Sequence, residues 1–160
     1  MMTRKKPWNR VDQSVYSISS TTNGGKQNMN ICSYAVPVSM KPKRFIVAIY
    51  HNTLTLKNVK ENPELLLQYL SEPQSNLVNL LGKKSGFKTD KLKRIAKITT
   101  SYNSFSYLTE CNAFVHLKVV QWITGGDHDC VLCDVIAFKN LNDFKPLTLD
   151  YLRFKKIISA

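Results

Sequence analysis

The chain has 160 residues, 43 % of them hydrophobic, and carries 23 Lys and Arg against 11 Asp and Glu, a formal net charge of +12. That length suits one domain with a sizeable core, and the charge favours anionic ligands. No apolar run nears the ~20 residues of a membrane span, and no apolar segment follows the basic start "MMTRKKPWNR", so neither a membrane partner nor a signal peptide is expected and the cytoplasm is the expected compartment.

Residues 1–12 are polar and basic and are expected to form a loose arm ahead of one domain over 13–160. "SVYSISS" alternates as a strand does, and Asn23-Gly24 after it is a hairpin signal, because both turn positions tolerate positive φ. "NICSYAVPVSM" continues as one further extended segment, irregular or at an edge because of Pro37. "RFIVAIYH" is a near-continuous apolar run and reads as a buried strand. "NTLTLKNVKENPE" has room for a short helix, whereas "LLLQYL" is ambiguous: Asn62-Pro63-Glu64 resembles a helix start, yet the run is only strand-length. Pro73 early and Gly82 late predict a short helix over 72–82, and "TDKLKRIAKI" is a candidate for another. "AFVHLKVVQWI" alternates as a strand with one face more polar, and "VLCDVIAF" pairs with it across "GGDHDC". The tail is a loop followed by a short basic, apolar segment. Six or seven strands at short spacing with two or three short helices predict an antiparallel barrel or sandwich, not a doubly wound sheet.

Four cysteines are present, Cys32, Cys111, Cys130 and Cys133, and free thiols are expected. Cys130 and Cys133 form a CxxC just after His128, but on a strand they point to opposite faces, and no second ligand pair is present. No metal is therefore expected. The segment "GKKSGFKTDKLKRIAK" holds seven Lys and Arg against one Asp. It suits either a solvated face or a phosphate-bearing ligand.

Three segments, in order, carry more information: "NGGKQNMNICSYAVPVSMKP", "YHNTLTLKNVKENPELLL", and "LGKKSGFKTDK" followed by "ECNAFVHLKVVQWITGGDHDCVLCDVIAF". Together they resemble the flavin reductase-like, FMN-binding split-barrel family over residues 14–138, through Asn30, Thr55, Ser85-Gly86 with Asp90-Lys91, and Gly126-Asp127-His128. The resemblance implies a mainly β fold, a six-stranded antiparallel Greek-key split barrel with a few short flanking helices. In it "LLLQYL" is a strand. It also implies a homodimer with FMN at the subunit boundary. The implied activity is that of an NAD(P)H:flavin oxidoreductase: a hydride passes from NADH or NADPH to flavin, and electrons go on to free flavin or another small acceptor.

A flavin phosphate carries about two negative charges and needs donors and a cation. "HNTLT" offers Asn52, Thr53 and Thr55, with Asn58 one turn on; in an extended chain both threonine hydroxyls face the same way. Ordinary loop capping is the alternative role for these threonines. The family often has a basic residue close to Thr53, so here the cation must come from elsewhere, with Lys83, Lys84, Lys88 and Lys91 as candidates. The resemblance lays Ser33, Tyr34 and Ala35 along the flavin ring, although Tyr34 also suits plain core packing. "GGDHDC" reads as a hairpin tip whose His128 sits on the nicotinamide side, or else makes only a structural hydrogen bond. Where the family usually has Gly-Glu, this chain has Cys133-Asp134, whose side chain either narrows the flavin site or alters packing.

Two other readings compete with the reductase. One is an FMN-binding carrier or sensor without NAD(P)H activity. The other is a nucleic-acid-binding β-barrel, against which the scarcity of aromatics near the lysine-rich segment argues.

Overall fold

In a computed structural model residues 6–159 are described. Residues 1–5 of the expected arm lie outside them, and Pro7–Asn9 form a short 3-10 helix. The strands are β1 (Tyr16–Thr21), β2 (Gln27–Cys32), β3 (Ala35–Met40), β4 (Lys43–Tyr50), β5 (Glu64–Tyr69), β6 (Thr99–Tyr102), β7 (Phe105–Leu108), β8 (Ala113–Gly125) and β9 (His128–Asn140). The helices are α1 (Leu54–Glu61), α2 (Val78–Lys83), α3 (Lys91–Arg94) and α4 (Leu149–Phe154). Among the described residues no helix is long and apolar enough to cross a membrane.

The fold is mainly β and antiparallel, as expected, but its main sheet has seven strands rather than six and is not closed. The order is β2-β1-β5-β8-β9-β4-β3. "NICSYAVPVSM" is not one strand. Residues 33–34 carry the chain from β2, at one end of the sheet, to β3 at the other. At this crossing the Cys32 thiol, at the end of β2, lies 3.7 Å from the carbonyl oxygen of Ala48 on β4, the neighbour of β3. The two ends of the sheet do not pair. Pro37 has no N–H to give, and the β3 register shifts between Pro37 and Ser39. The outer edge of β2 is covered instead by a side chain, the Lys91 ammonium donating to the Met29 carbonyl at 3.1 Å.

Curling of the sheet brings inward residues of six strands into one apolar cluster, among them Ile18, Val47, Leu65, Leu117 and Val131, with Leu56 and Val59 of α1. A second cluster lies on the outer face of β1, β2, β5 and β8. There Met29, Leu66 and Phe114 pack under Leu81, Ile95, Phe105, Tyr107 and Leu152. Two covered faces explain a departure from simple alternation in β8. Phe114, Val115, His116 and Leu117 are all buried, so β8 begins with no polar face. His116 is held by Glu64 at 2.9 Å and by edge-on contacts with Tyr102 and Phe105. In β4 the run is not uniformly buried: Phe45, Val47 and Ile49 face the core, while Ile46 and Ala48 are half-buried.

"LLLQYL" is β5, paired on both sides by β1 and β8. The predicted helix over 72–82 begins as a 3-10 turn, Glu72–Leu77, and becomes α2 only at Val78. The hairpin β6–β7, with Asn103 at positive φ, was not signalled by periodicity, because its alternating Thr, Ser and Tyr carry little apolar contrast.

Candidate functional site

"GGDHDC" is a hairpin tip. Gly125 pairs with His128, and Gly126 takes φ +43°, a conformation that a residue with a Cβ adopts only under strain. β4 lies alongside, so Tyr50 is the register partner of His128. The His128 ring packs between two tyrosines, its centroid 5.2 Å from Tyr50 and 5.3 Å from Tyr34. Its Nδ1 is 2.6 Å from the Asp127 carboxylate, and that hydrogen bond lowers the Asp127 pKa. His51 Nε2 meets Asp129 at 2.9 Å, and this lowers the Asp129 pKa; Lys60 lies 3.4 Å from the other carboxylate oxygen.

Each tyrosine beside His128 lines a different cavity. The first, about 380 Å³, lies between β2, the start of α1 and the 82–86 segment. It brings together Asn30, Asn52, Thr53, Ser85, Gly86 and Lys91 of the predicted site, with Lys83, Lys84 and Tyr50. The second, about 390 Å³, is lined by Ser33, Tyr34 and Ala35 with Tyr16, Ile46 and Ala48. Nine of the twelve predicted residues thus line one of two cavities, and His128 stands between the tyrosines that join them.

Thr55 and Asn58 line neither cavity. The extended reading of 53–55 is corrected by the helix. Thr53 is the N-cap of α1, so Thr55 falls on the helix and not on Thr53's face. Both Thr55 and Asn58 are fully buried. Thr55 Oγ1 accepts from the Asn28 side chain at 3.0 Å, and Asn58 donates to Ser20 Oγ at 3.2 Å and to the Lys26 carbonyl at 3.3 Å. These bonds tie α1 to β1 and β2. Thr53 itself donates its hydroxyl to the Tyr50 carbonyl at 2.8 Å and accepts from Leu56 N at 3.2 Å.

Cys133 fills neither cavity. It is fully buried among the inner cluster beside Phe45, while Asp134 binds Arg44 Nε at 2.6 Å. Lys88 also lies outside these two cavities. Among the described residues no group of three or more His, Cys, Asp or Glu is placed to hold a metal ion. Tyr50 was missed in the sequence. Its signal was an aromatic with a polar tip ending an apolar strand just before a polar loop.

The first cavity has the chemistry of an anion site. Lys91 is 4 % exposed, and its ammonium donates only to the carbonyls of Met29, at 3.1 Å, and Leu81, at 2.8 Å. Burial without a carboxylate lowers its pKa to about 8. Asn30 Oδ1 is buried with no hydrogen-bond partner. Gly86 keeps the loop close: a Cβ there would lie 2.9 Å from Asn28 Cγ and 3.1 Å from Leu54 Cβ. A cation, the Ser85 hydroxyl and an intimate backbone approach together fit the phosphate end of a flavin nucleotide, whose oxygens need donors.

The fold and this site define a flavin-related class of protein. A model of the flavin reductase like domain matches residues 8–157, and the chain belongs to that family. No curated protein matches the chain. Among solved structures it is similar to an FMN-binding protein from Thermus thermophilus, with 18% identity, TM-score 0.73, and 88% of this chain and 78% of that chain covered. It is also similar to a candidate flavin reductase from Haemophilus somnus, with 18% identity, TM-score 0.75 and 87% of each chain covered. Flavoredoxin from Methanosarcina acetivorans matches at 18% identity and TM-score 0.73, over 91% of this chain and 81% of that chain.

Proposed function

We propose that the protein binds FMN and reduces it with NADH or NADPH. The phosphate end occupies the cavity of Asn30, Asn52, Thr53, Ser85, Gly86 and Lys91, and the ring end runs along Ser33–Ala35. The observation that carries this reading is the buried Lys91 ammonium, which has carbonyl partners but no carboxylate and lies in the cavity wall that Gly86 holds close. When bound, FMN supplies a hydride acceptor and a route for electrons to free flavin or another small acceptor.

The chain's own residues then bind and orient. Lys91 offsets the phosphate charge, and Ser85 has a hydroxyl to donate. His128, held by Asp127 and flanked by Tyr34 and Tyr50, presents its ring where a nicotinamide meets the flavin. It positions and does not relay a proton, because hydride transfer needs none at that step. The working unit is a homodimer. Half-exposed or exposed apolar side chains on β3, β8 and β9 support this, namely Val36, Val38, Met40, Trp122, Ile123 and Phe138, an apolar surface that favours a partner.

Anaerobic addition of NADH or NADPH to the FMN-loaded protein tests this function. Bleaching of the flavin absorbance is expected with at least one nucleotide. The His128→Ala variant is expected to raise the KM for that nucleotide about tenfold with FMN affinity unchanged. Bound FMN that neither nucleotide bleaches would assign a carrier or sensor instead.

A further inference from the structure

On the far side of Lys91 and Gly86 lies a third cavity, of about 680 Å³, larger than either of the two beside His128. Its walls come from the start of β2, the 86–90 loop, α3 and the β6–β7 hairpin. Four lysines converge on it from separate parts of the chain: Lys26 before β2, Lys88 in the loop, and Lys91 and Lys93 on α3. None of the four is in an ion pair among the described residues. The one carboxylate in the wall, Asp90, accepts from the Lys93 backbone N–H at 3.1 Å, capping α3.

Two further features point to a ligand rather than to a solvated face. Gln27 lines the cavity, and its Oε1 is a buried acceptor with no hydrogen-bond partner. Phe87 lines the same cavity with half its surface exposed, an apolar plate beside the lysines. Lys26, Lys88 and Lys93 are exposed around the cavity and have no carboxylate partner, so an anion entering it meets positive charge from separate parts of the chain.

We propose that this cavity is a second anion site, which takes the phosphate of a small phosphorylated molecule bearing hydroxyl or N–H donors. It adjoins the cavity assigned to FMN, with Leu54, Gly86 and Lys91 in the wall between them, while Lys26, Lys88 and Lys93 belong to it alone, so it does not depend on that assignment. Lys26 and Lys93 contact only this cavity and are exposed, so both can be changed without disturbing the core.

The test is calorimetric titration of the FMN-saturated protein with AMP at about physiological salt, where long-range attraction is screened within ~8 Å. AMP binds the parent protein, and the Lys26→Glu/Lys93→Glu variant is expected to weaken it at least about tenfold, the scale of losing charge-assisted contacts. The charge-matched Lys41→Glu/Lys43→Glu variant, altered at the β3–β4 turn, is expected to stay within about twofold, since it changes net charge alone. The proposal is overturned if AMP does not bind, if both variants weaken it equally, or if AMP and FMN displace one another. It is overturned in favour of nucleic acid if single-stranded DNA binds the cavity lysines and AMP does not. If the protein takes up no FMN, the same titration is run without it, so the two readings fail separately.

Discussion

Replacing Gly86 by alanine is expected to lower FMN affinity about tenfold to a hundredfold. The added Cβ would come within 2.9 Å of Asn28 Cγ and 3.1 Å of Leu54 Cβ. Neither neighbour can retreat. Both are buried, and Asn28 is bonded to Thr55 Oγ1 at 3.0 Å. The loop carrying Ser85 must therefore move away from α1, and the cavity opens. Overpacking of this kind costs about 1–3 kcal/mol, and each ~1.4 kcal/mol is a factor of ten in binding. Gly24→Ala is the control, since its nearest atom is Thr22 Oγ1 at 3.8 Å. Quenching of flavin fluorescence measures both; equal affinities in the two variants would remove Gly86 from the site.

The second large effect is in the pH dependence of stability. Lys91 ordinarily titrates at 10.5, and burial lowers this to about 8 in the folded protein. Below pH ~8 the ammonium is charged in both states, and folding carries the full penalty of burying it. As pH rises from about 8 towards 10.5 the folded protein sheds that proton first, and the penalty is relieved, by about 3 kcal/mol at most. The thiols act in the opposite sense. Burial pushes Cys32, Cys111 and Cys133 from 9.0 up to about 12, so their contribution is complete below pH 9 and is lost as pH rises above it. Denaturant melts of the parent and of Lys91→Met separate the two effects, because the thiols are common to both. The stability difference, parent minus variant, is expected to rise between pH 8 and 10.5. A flat difference would show that the buried ammonium carries no such penalty. Bound FMN is expected to shrink the rise, since its phosphate stabilises the charged form.

Much of the site was legible because it depends on local rules. The Gly125-Gly126 tip and the polar loop leaving β4 follow from turn chemistry, and the structure places them where the pattern suggests, whereas Thr53, read as extended with capping as the alternative, is the cap of α1. Thr55 and Asn58 were less legible. Both are polar, and only the helical turn that aligns them with Val59, inward against Asn28, Ser20 and Lys26, shows that they brace α1. "LLLQYL" has no periodicity of its own, since β5 is covered on both faces, so the resemblance decided it and the structure agrees. The division of "NICSYAVPVSM" into strands at opposite ends of the sheet depends on long-range pairing, which alternation within one segment does not encode. Convergence of Lys26 with Lys88 and Lys93 is likewise a product of the fold. In the sequence Lys26 stands apart from the lysine-rich segment and reads as a lone charge.

The most direct measurement is a titration of the purified protein with FMN, followed by absorbance and by extraction of the bound flavin. The cavity of Lys91, Gly86 and Asn30 predicts a yellow protein holding stoichiometric FMN, with affinity lowered in Gly86→Ala. A protein that stays colourless with FMN in excess would contradict the account, and the cation in that cavity would then need a different anion.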